Sequence, residues 1–270
     1  MLITIFTATY NRAHTLKRLY NSLCLQTKFN FEWLIVDDGS DDNTELLIED
    51  FQRKTKSFQI FYLKQNGGGK HRAVNYAAQF AHGELFFIVD SDDYLSVNAC
   101  EVVEDEWRKN KENLQGLCFR RIEPKTNKII GKEFPGKIAF PTTINFVWNL
   151  RCEKSEILRT DIVKKYPFPE FSGERFCTEA YWLYLIEKKT HLKMVCVNKG
   201  IRYTEYYADG LTRNIKEIKK KNPIGYMAYY KLLFTIPTFY LHPKIVLYTI
   251  LDFLNLFFYI KKKGTYSKKS

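Results

Sequence analysis

Three carboxylates lie within four residues in the run Asp90-Ser91-Asp92-Asp93, directly after the apolar segment 85–89. Carboxylates this close repel one another at neutral pH unless a cation lies among them. Hard divalent ions such as Mg²⁺ and Mn²⁺ choose oxygen ligands and commonly share them with the phosphates of a substrate. The run therefore predicts a metal site, and the alternative is that Asp92 or Asp93 caps a helix.

Two other polar segments also follow apolar ones. Segment 9–12 follows the apolar residues 2–8, and Asp37 and Asp38 end the apolar segment 32–38. One of these two acids could accept hydrogen bonds from a base or a ribose. Because Asp-Gly sequences favour turns, the alternative is that both acids only shape a turn.

A glycine-rich turn precedes a basic residue in Gly67-Gly68-Gly69-Lys70. It is not a P-loop, which requires G-x-x-x-x-G-K-[ST], because Lys70 is followed by His71. No G-x-G-x-x-G follows the first apolar segment either. With Lys70 and Arg72 the turn could still hold a pyrophosphate at the start of a helix. The alternative, of equal weight, is a flexible surface loop.

The elements that must position these residues alternate between strands and helices. Four apolar, β-rich segments predict strands, and segments with helical spacing lie between them. The strands are predicted at 2–8, 32–38, 59–63 and 85–89, and the helices at 15–26, after Asp42 or Asn43, and at 71–81. This order predicts an α/β fold with a mainly parallel sheet flanked by helices. Since ligands gather at the carboxyl ends of such strands, the polar segments should form one site.

Four segments, TATYNR, VDDGS, NGGGKHRAVN and VDSDD, occur in this order within residues 1–115. Together they resemble the GT-A-fold glycosyltransferases of family 2, and the joint pattern is far more specific than any one part. The resemblance implies a GT-A, Rossmann-like sheet with a helical C-terminal appendage. It also implies an inverting enzyme of the kind that builds bacterial surface glycans. The donor would be a nucleotide diphosphate-sugar, with UDP as the expected carrier, and Mn²⁺ or Mg²⁺ would bridge protein and diphosphate.

The same resemblance assigns roles to single residues. Tyr10 would stack near the base, Asp38 would bind the base by hydrogen bonds, and Asp90 would hold the ribose. Asp92 would be the metal ligand, and Lys70 would lie at the diphosphate. The expected nucleotide-sugar-binding set also includes Ala8, Arg12 and Ser91.

The second half must supply the general base. In the family, a carboxylate in this region, often within a Glu-Asp pair, deprotonates the acceptor hydroxyl. This chain departs from that pair and reads Thr178-Glu179-Ala180. Glu179 is therefore predicted as the general base, with Glu174 as the second choice. The alternative for Glu179 is an acid in the first turn of a helix, favoured by the helix dipole.

Two further features bear on the acceptor. Tyr206, Tyr207 and Asp209 are predicted to line its cleft, with simple packing of the tyrosines as the alternative. No Q-x-x-R-W occurs in the chain, and in the family that sequence marks processive polysaccharide synthases. The resemblance thus favours transfer of one sugar per encounter, by a single in-line displacement that inverts the anomeric carbon.

The C-terminal tail carries most of the positive charge. Residues 213–270 hold 12 lysines and arginines against two acids, a net charge of +10 out of +12 for the whole chain. The charge flanks the apolar segment 236–260, whose polar residues would be costly in a spanning helix. We predict an interfacial helix pair, with the lysines of 219–221 and 261–263 on lipid phosphates. The alternative is a core helix packed on the catalytic domain.

These observations predict three regions and a location. Residues 1–115 form the nucleotide-sugar-binding half, 116–215 the acceptor-binding and base half, and 216–270 a basic, aromatic helical tail. The six scattered cysteines, with no C-x-x-C pair, suit the cytoplasm. We predict a peripheral protein on the inner face of the cell membrane, with a glycan or lipid-linked glycan as acceptor. A nucleic-acid partner is not expected, because the charge is not spread over a folded face.

Two other functions are weaker alternatives. A sugar nucleotidyltransferase would need a glycine-rich loop after the first strand, and residues 7–12 contain no glycine. A catalytically inactive binding module predicts a damaged D-x-D sequence, which is intact here. The composition, with 45% hydrophobic residues, excludes a disordered or fibrous chain.

Overall fold

The first half alternates strands with helices, which confirms the predicted order. The computed structural model describes residues 2–110, 112, 114–150, 154–204 and 215–267. The strands are β1 (Ile3–Thr9), β2 (Phe31–Asp37), β3 (Gln59–Lys64) and β4 (Leu85–Ile88), and the helices are α1 (Ala13–Cys24), α2 (Thr44–Lys54) and α3 (Lys70–Phe80). Each lies within two residues of its predicted bounds.

The second half is less regular. Its elements are β5 (Tyr94–Leu95), α4 (Ala99–Asn110), β6 (Gly116–Glu123), β7 (Lys128–Ile129), β8 (Ile138–Ala139), β9 (Lys154–Arg159), α5 (Thr160–Lys165), α6 (Glu179–Thr190) and β10 (Met194–Tyr203). A π-helical turn, Thr143–Val147, lies between β8 and β9. The C-terminal elements are α7 (Ile215–Lys221), α8 (Pro223–Leu233), a 3₁₀ helix (Pro237–Leu241) and α9 (Pro243–Ser267).

One sheet joins the two halves. In the described part of the chain its strand order is β3-β2-β1-β4-β9-β6-β10-β5. The first four strands are parallel neighbours, with Thr9 of β1 paired to Asp37 of β2. Strand β9 then pairs antiparallel with both β4 and β6, so the complete sheet is mixed. The parallel part places the ends of β1, β2 and β4 at a common edge.

The sheet is covered on both faces, as its alternating side chains require. Ile5 and Trp33 belong to the core on one face, where α1, α2 and α4 pack. Phe6 and Leu34 belong to the core on the other face, with side chains of α3, α6 and α8. Neighbouring residues of one strand thus enter opposite cores, which explains why these strands read as continuous apolar segments.

Helix α9 packs differently from the others. Its segment Pro243–Lys262 is long and apolar enough to cross a membrane, by length and composition alone, and only 11% of it is buried. Thr249 and Leu256 face inward, while much of the apolar surface is exposed. The exposed apolar side chains are Leu247, Tyr248, Ile250, Leu251, Leu254, Phe257 and Phe258. One side of α9 thus packs on the domain and the other is exposed, so the interfacial helix and the packed helix both stay predictions.

Candidate active site

The two acids at the end of β2 face different partners. Asp37 is buried, and its carboxylate accepts hydrogen bonds from the Ser40 N–H at 2.8 Å and the Tyr62 hydroxyl at 2.7 Å. Asp38 accepts from the N–H groups of Gly68 at 2.6 Å and Gly69 at 2.8 Å. A third bond to Asp38 comes from the Gln65 amide at 2.5 Å. Asp37 thus shapes its own turn, and Asp38 fixes the glycine-rich turn.

The glycine-rich turn is held on both sides. Gly69 has φ +84°, and a Cβ added there would lie 1.9 Å from the backbone oxygen of Arg175. Gly67, at φ +58°, faces the Arg175 guanidinium. Because only glycine fits this approach, the turn brings the start of α3 against the segment that leads into α6. It is a fixed junction between the two halves of the chain.

Asp90 lies between two basic side chains. One carboxylate oxygen accepts from Lys70 Nζ, and the other lies 2.5 Å from an Arg202 guanidinium nitrogen. Burial by itself raises the pKa of Asp90, but the charges of Lys70 and Arg202 outweigh it and hold the pKa well below its usual value. Asp90 is therefore ionised throughout the physiological range.

Asp92 has a different environment. No side chain in the described ranges donates a hydrogen bond to its carboxylate, and burial together with the charge of Asp90 raises its pKa. Its backbone oxygen accepts from Arg18 at 2.5 Å, and that guanidinium lies 4.7 Å from the centre of the Tyr94 ring. The loop is thus fixed through its backbone while the Asp92 side chain keeps its oxygens available, as a metal ligand requires.

Asp93 and Arg202 form a buried ion pair, each only 2% exposed. Arg202 also donates to the Ile88 backbone oxygen at 2.8 Å, and Thr204 lies 3.4 Å from Asp93. Arg202, at the end of β10, therefore holds the first and the last acid of the run, Asp90 and Asp93. Sequence reasoning missed it, although a lone arginine at the end of an apolar strand was an available signal.

Glu179 is the first residue of α6, and its carboxylate lies 2.7 Å from Lys70 Nζ. Burial by itself lowers the pKa of Lys70, but the charges of Asp90 and Glu179 outweigh it and raise the pKa above its usual value. Lys70 thus joins an acid from the end of β4 to the acid predicted as general base. The helix-start interpretation of Glu179 is compatible with this position.

Glu174 lies away from this group. It is buried, and its two oxygens accept from the N–H groups of Ile224 at 2.6 Å and Gly225 at 2.8 Å. These are first-turn groups of α8, which Glu174 therefore caps. Both oxygens of the second-choice base are occupied by this structural contact.

The remaining predicted residues lie around the ends of β1 and β4. Tyr10 is 57% exposed, as a ring that stacks on a ligand requires, while Ala8 and Arg12 are partly buried and Ser91 is buried. Asn11 has a left-handed backbone conformation, with φ +52°, and its N–H donates a hydrogen bond to the Ser40 hydroxyl at 2.9 Å. Tyr206, Tyr207 and Asp209 lie outside the described residues.

A cleft of about 580 Å³ adjoins the carboxylates. Asp90, Glu156 and Glu179 line it together with the aromatic side chains of α8 and α9. Those aromatic residues are Tyr226, Tyr229, Tyr230 and Tyr248, joined by Phe146, Tyr184 and Phe239. Burial raises the pKa of Tyr226, Tyr229 and Tyr230, so their hydroxyls remain neutral and can donate or accept hydrogen bonds. Neutral aromatic rings with hydroxyls suit contact with sugar faces.

A metal at this site would have few protein ligands. Within the described residues no three His, Cys, Asp or Glu side chains come together as a metal cluster. Mg²⁺ is commonly held by one or two carboxylates plus substrate phosphates, so a single carboxylate at Asp92 fits that arrangement.

Comparison with known proteins gives one family. The profile described as Glycosyl transferase family 2 matches residues 4–176. The Escherichia coli UDP-Glc:alpha-D-GlcNAc-diphosphoundecaprenol beta-1,3-glucosyltransferase WfgD is 30% identical over 222 residues, which cover 82% of this chain and 83% of that protein. The Staphylococcus aureus poly(ribitol-phosphate) beta-N-acetylglucosaminyltransferase TarS is 36% identical over 98 residues, 36% of this chain and only 17% of TarS.

The fold has close matches among solved structures. The complex of Staphylococcus aureus TarS 1–349 with UDP-GlcNAc superimposes with a TM-score of 0.67 at 18% identity, covering 96% of this chain and 73% of that one. The Pyrobaculum calidifontis mannosyltransferase PcManGT, in complex with GDP-Man and Mn²⁺, gives a TM-score of 0.65 at 12% identity, covering 97% and 75%. Both matches extend over nearly the whole of this chain, and at these identities they establish its fold.

Proposed function

The chain belongs to glycosyl transferase family 2, and we propose that it transfers one sugar from a UDP-sugar to a hydroxyl of a glycan or lipid-linked glycan. The observation that carries the proposal is the meeting of Asp90, Lys70 and Glu179 at one cleft. Lys70 contacts both carboxylates, which supports a role for it as a phosphate-binding cation between a donor-side acid and a base.

The donor occupies the edge formed by the ends of β1, β2 and β4. Tyr10 stacks on the base, and Asp38 accepts its hydrogen bonds with the lone pair left over from the glycine turn. Asp90 holds the ribose, and Lys70 contacts the diphosphate. Support for a uridine carrier comes from the names of WfgD and of the TarS complex, which both contain UDP.

Asp92 is the residue that would hold a divalent cation. Its side chain has oxygens to offer, and its repulsion with Asp90 is the kind that a cation relieves. When bound, Mn²⁺ or Mg²⁺ would offset the negative charge of the donor diphosphate.

Glu179 accepts the proton of the acceptor hydroxyl. The acceptor oxygen forms a bond to the anomeric carbon while the bond from that carbon to the diphosphate oxygen breaks, and the electron pair leaves with UDP. Attack on the face opposite the leaving group inverts the anomeric carbon. General-base assistance of this kind is worth about 10²–10⁴ in rate.

The donor site is tested by UDP binding in a calorimeter, with and without Mn²⁺. We expect Mn²⁺-dependent binding that Asp92→Asn weakens by about tenfold or more, the size of one lost charge-assisted contact. Asp105→Asn, which changes an exposed acid of α4 that pairs with Lys28, is the matched control and should bind as the wild type does. Absence of UDP binding to the wild type would contradict the proposed function.

The base is tested by following UDP release from UDP-GlcNAc and UDP-glucose. Glu179→Gln should lower the rate by about 10²–10⁴ because it keeps the shape of the side chain and removes its basicity. Wild-type protein that binds UDP but turns over none of these donors or other UDP-sugars would favour the inactive binding module instead.

Helix α9 is the element that we propose contacts both the acceptor and the membrane. Ile245, Tyr248 and Asp252 of α9 line the cleft, while the other side of α9 exposes its apolar surface. Exposed lysines lie near both ends of this surface, at 244 and 262, and others lie on α7, at 216, 220 and 221. Lys219 is an exception, since it pairs with Asp252. An apolar face with basic flanks suits an anionic membrane surface, where lipid-linked acceptors are found.

Membrane attachment is tested by co-sedimentation with vesicles of phosphatidylglycerol and phosphatidylethanolamine. Phe258→Ser should weaken binding by roughly tenfold, since one large apolar side chain no longer enters the interface. Leu46→Ser is the matched control, because Leu46 on α2 is 64% exposed and Phe258 is 62% exposed. In 1 M NaCl, where the Debye length falls to about 3 Å, the electrostatic part of the binding should be lost. Equal loss in both variants would contradict a specific role for α9.

A further inference from the structure

Lys70 makes two contacts across the cleft. Its ammonium group pairs with one oxygen of Asp90 and lies 2.7 Å from an oxygen of Glu179. In the described ranges Glu179 has no other hydrogen-bond or ion-pair partner. The predicted general base is thus engaged by the same side chain that is placed to receive the donor diphosphate.

The backbone around Lys70 is fixed, so only its side chain can move. Lys70 is the first residue of α3, directly after the turn that Asp38 and Arg175 hold. The side chains of Lys70 and Glu179 are 30% and 42% exposed, so a ligand in the cleft can reach the contact between them. A change in partner therefore needs only new rotamers of a flexible four-carbon chain.

We propose that Lys70 is a latch that holds Glu179 until the donor binds. The inference rests on the proposed function, because it requires a diphosphate at this edge of the sheet. A diphosphate brings at least two negative charges into reach of Lys70, and it competes with the single charge of Glu179. The ammonium group then turns to the phosphate oxygens and leaves the Glu179 carboxylate.

The latch couples the base to the donor. While Lys70 holds one oxygen of Glu179, only the second oxygen of that carboxylate is left for an acceptor hydroxyl. Once the diphosphate takes the ammonium group, both oxygens of Glu179 are open to the acceptor. Lys70 is in this sense a positioning residue for the base as well as a contact for the diphosphate.

The experiment is a double-mutant cycle on UDP affinity, measured by calorimetry in the presence of Mn²⁺ with the full chain. The four proteins are the wild type, Glu179→Gln, Lys70→Met and the double variant. In Glu179→Gln, UDP no longer has to displace a carboxylate from Lys70, and we expect the affinity to rise by about three- to tenfold. In the Lys70→Met background the same change should leave the affinity unaltered.

A control separates the latch from general electrostatics. Glu156 lines the same cleft, and no contact joins it to Lys70. If removal of any negative charge favours an anion, Glu156→Gln will raise UDP affinity as much as Glu179→Gln does. That result would overturn the latch, as would equal effects of Glu179→Gln with and without Lys70. Absence of UDP binding to the wild type would instead contradict the proposed function itself.

Discussion

The two sides of the cleft are built in different ways. On the proposed donor side, acids at the strand ends are fixed by backbone groups and by buried cations, such as Asp38 by two glycine N–H groups and Asp93 by Arg202. On the proposed acceptor side, the wall consists of aromatic rings and of the Lys219–Asp252 pair, whose side chains are 23% and 44% exposed. The donor side is therefore rigid before a ligand arrives, and the acceptor side has contacts that can adapt.

This difference predicts which substitutions the fold will tolerate without a large loss of stability. A buried ion pair that loses one member leaves an uncompensated charge, whereas an exposed pair loses little. Substitutions of equal chemistry should then cost much on the donor side and little on the acceptor side. Four measurements of the free energy of unfolding, in decreasing order of expected effect, test that contrast.

Arg202→Met should have the largest effect, a loss of about 3–5 kcal/mol, because the buried Asp93 loses its direct partner and keeps only Arg121 as a cation, 3.9 Å away. Chemical denaturation measures the loss. Arg120→Met is the matched control: Arg120 is equally buried in the sheet, and its guanidinium donates to backbone oxygens in the segment after β7. If Arg202→Met lowers the free energy of unfolding no more than Arg120→Met does, the buried ion pair adds no stability of its own. The proposed difference between the two sides of the cleft would then be contradicted.

Gly69→Ala should follow with a loss of roughly 2–5 kcal/mol, from strain at positive φ and from the clash with the Arg175 backbone. Gly173→Ala separates the two causes. Gly173 also has positive φ, at +75°, but a Cβ there meets nothing within 4 Å, so only about 1–2 kcal/mol should be lost. Equal losses would mean that the junction at Arg175 yields easily and that the donor side is less rigid than its contacts indicate.

The elements of the first half could be predicted from the sequence because they depend on local patterns. The strands and helices of the first half follow from local patterns, because each strand is buried on both faces and each turn has its own glycine or acid. The edge at which Asp38 and Asp90 lie then follows from strand order alone. The sequence therefore predicts the fold class and the gathering of these acids at one edge of the sheet.

Contacts between distant residues could not be predicted in this way. The pairing of Asp93 with Arg202 joins residues 109 positions apart, and no local pattern reports it. Glu174 shows the same limit, since its chemistry suits a base while its contacts make it the cap of α8. The tyrosines that α8 and α9 contribute to the cleft depend on how these helices pack, which periodicity does not determine.

Glu174→Gln should have an intermediate effect and distinguishes the two candidate bases. Loss of the charged cap should cost about 1–2 kcal/mol of stability, because the N–H groups of Ile224 and Gly225 keep only a neutral acceptor. The rate of UDP release from the donor should stay within about twofold of wild type, whereas Glu179→Gln should lower it by about 10²–10⁴. A large loss of rate with unchanged stability would reverse the two assignments and move the base to Glu174.

Lys219→Met should have the smallest effect, a loss of less than about 1 kcal/mol, since its pair with Asp252 is open to water and is screened by salt. The lysine also lies 5.8 Å from the ring centres of both Tyr226 and Tyr230, which adds only a weak cation–π attraction. Lys216→Met, at an exposed position of α7, serves as the control, and 1 M NaCl should erase what difference remains. If Lys219→Met instead costs as much as Arg202→Met, the acceptor side is a fixed structure too. The adaptability that we assign to it would then have to come from elsewhere in the cleft.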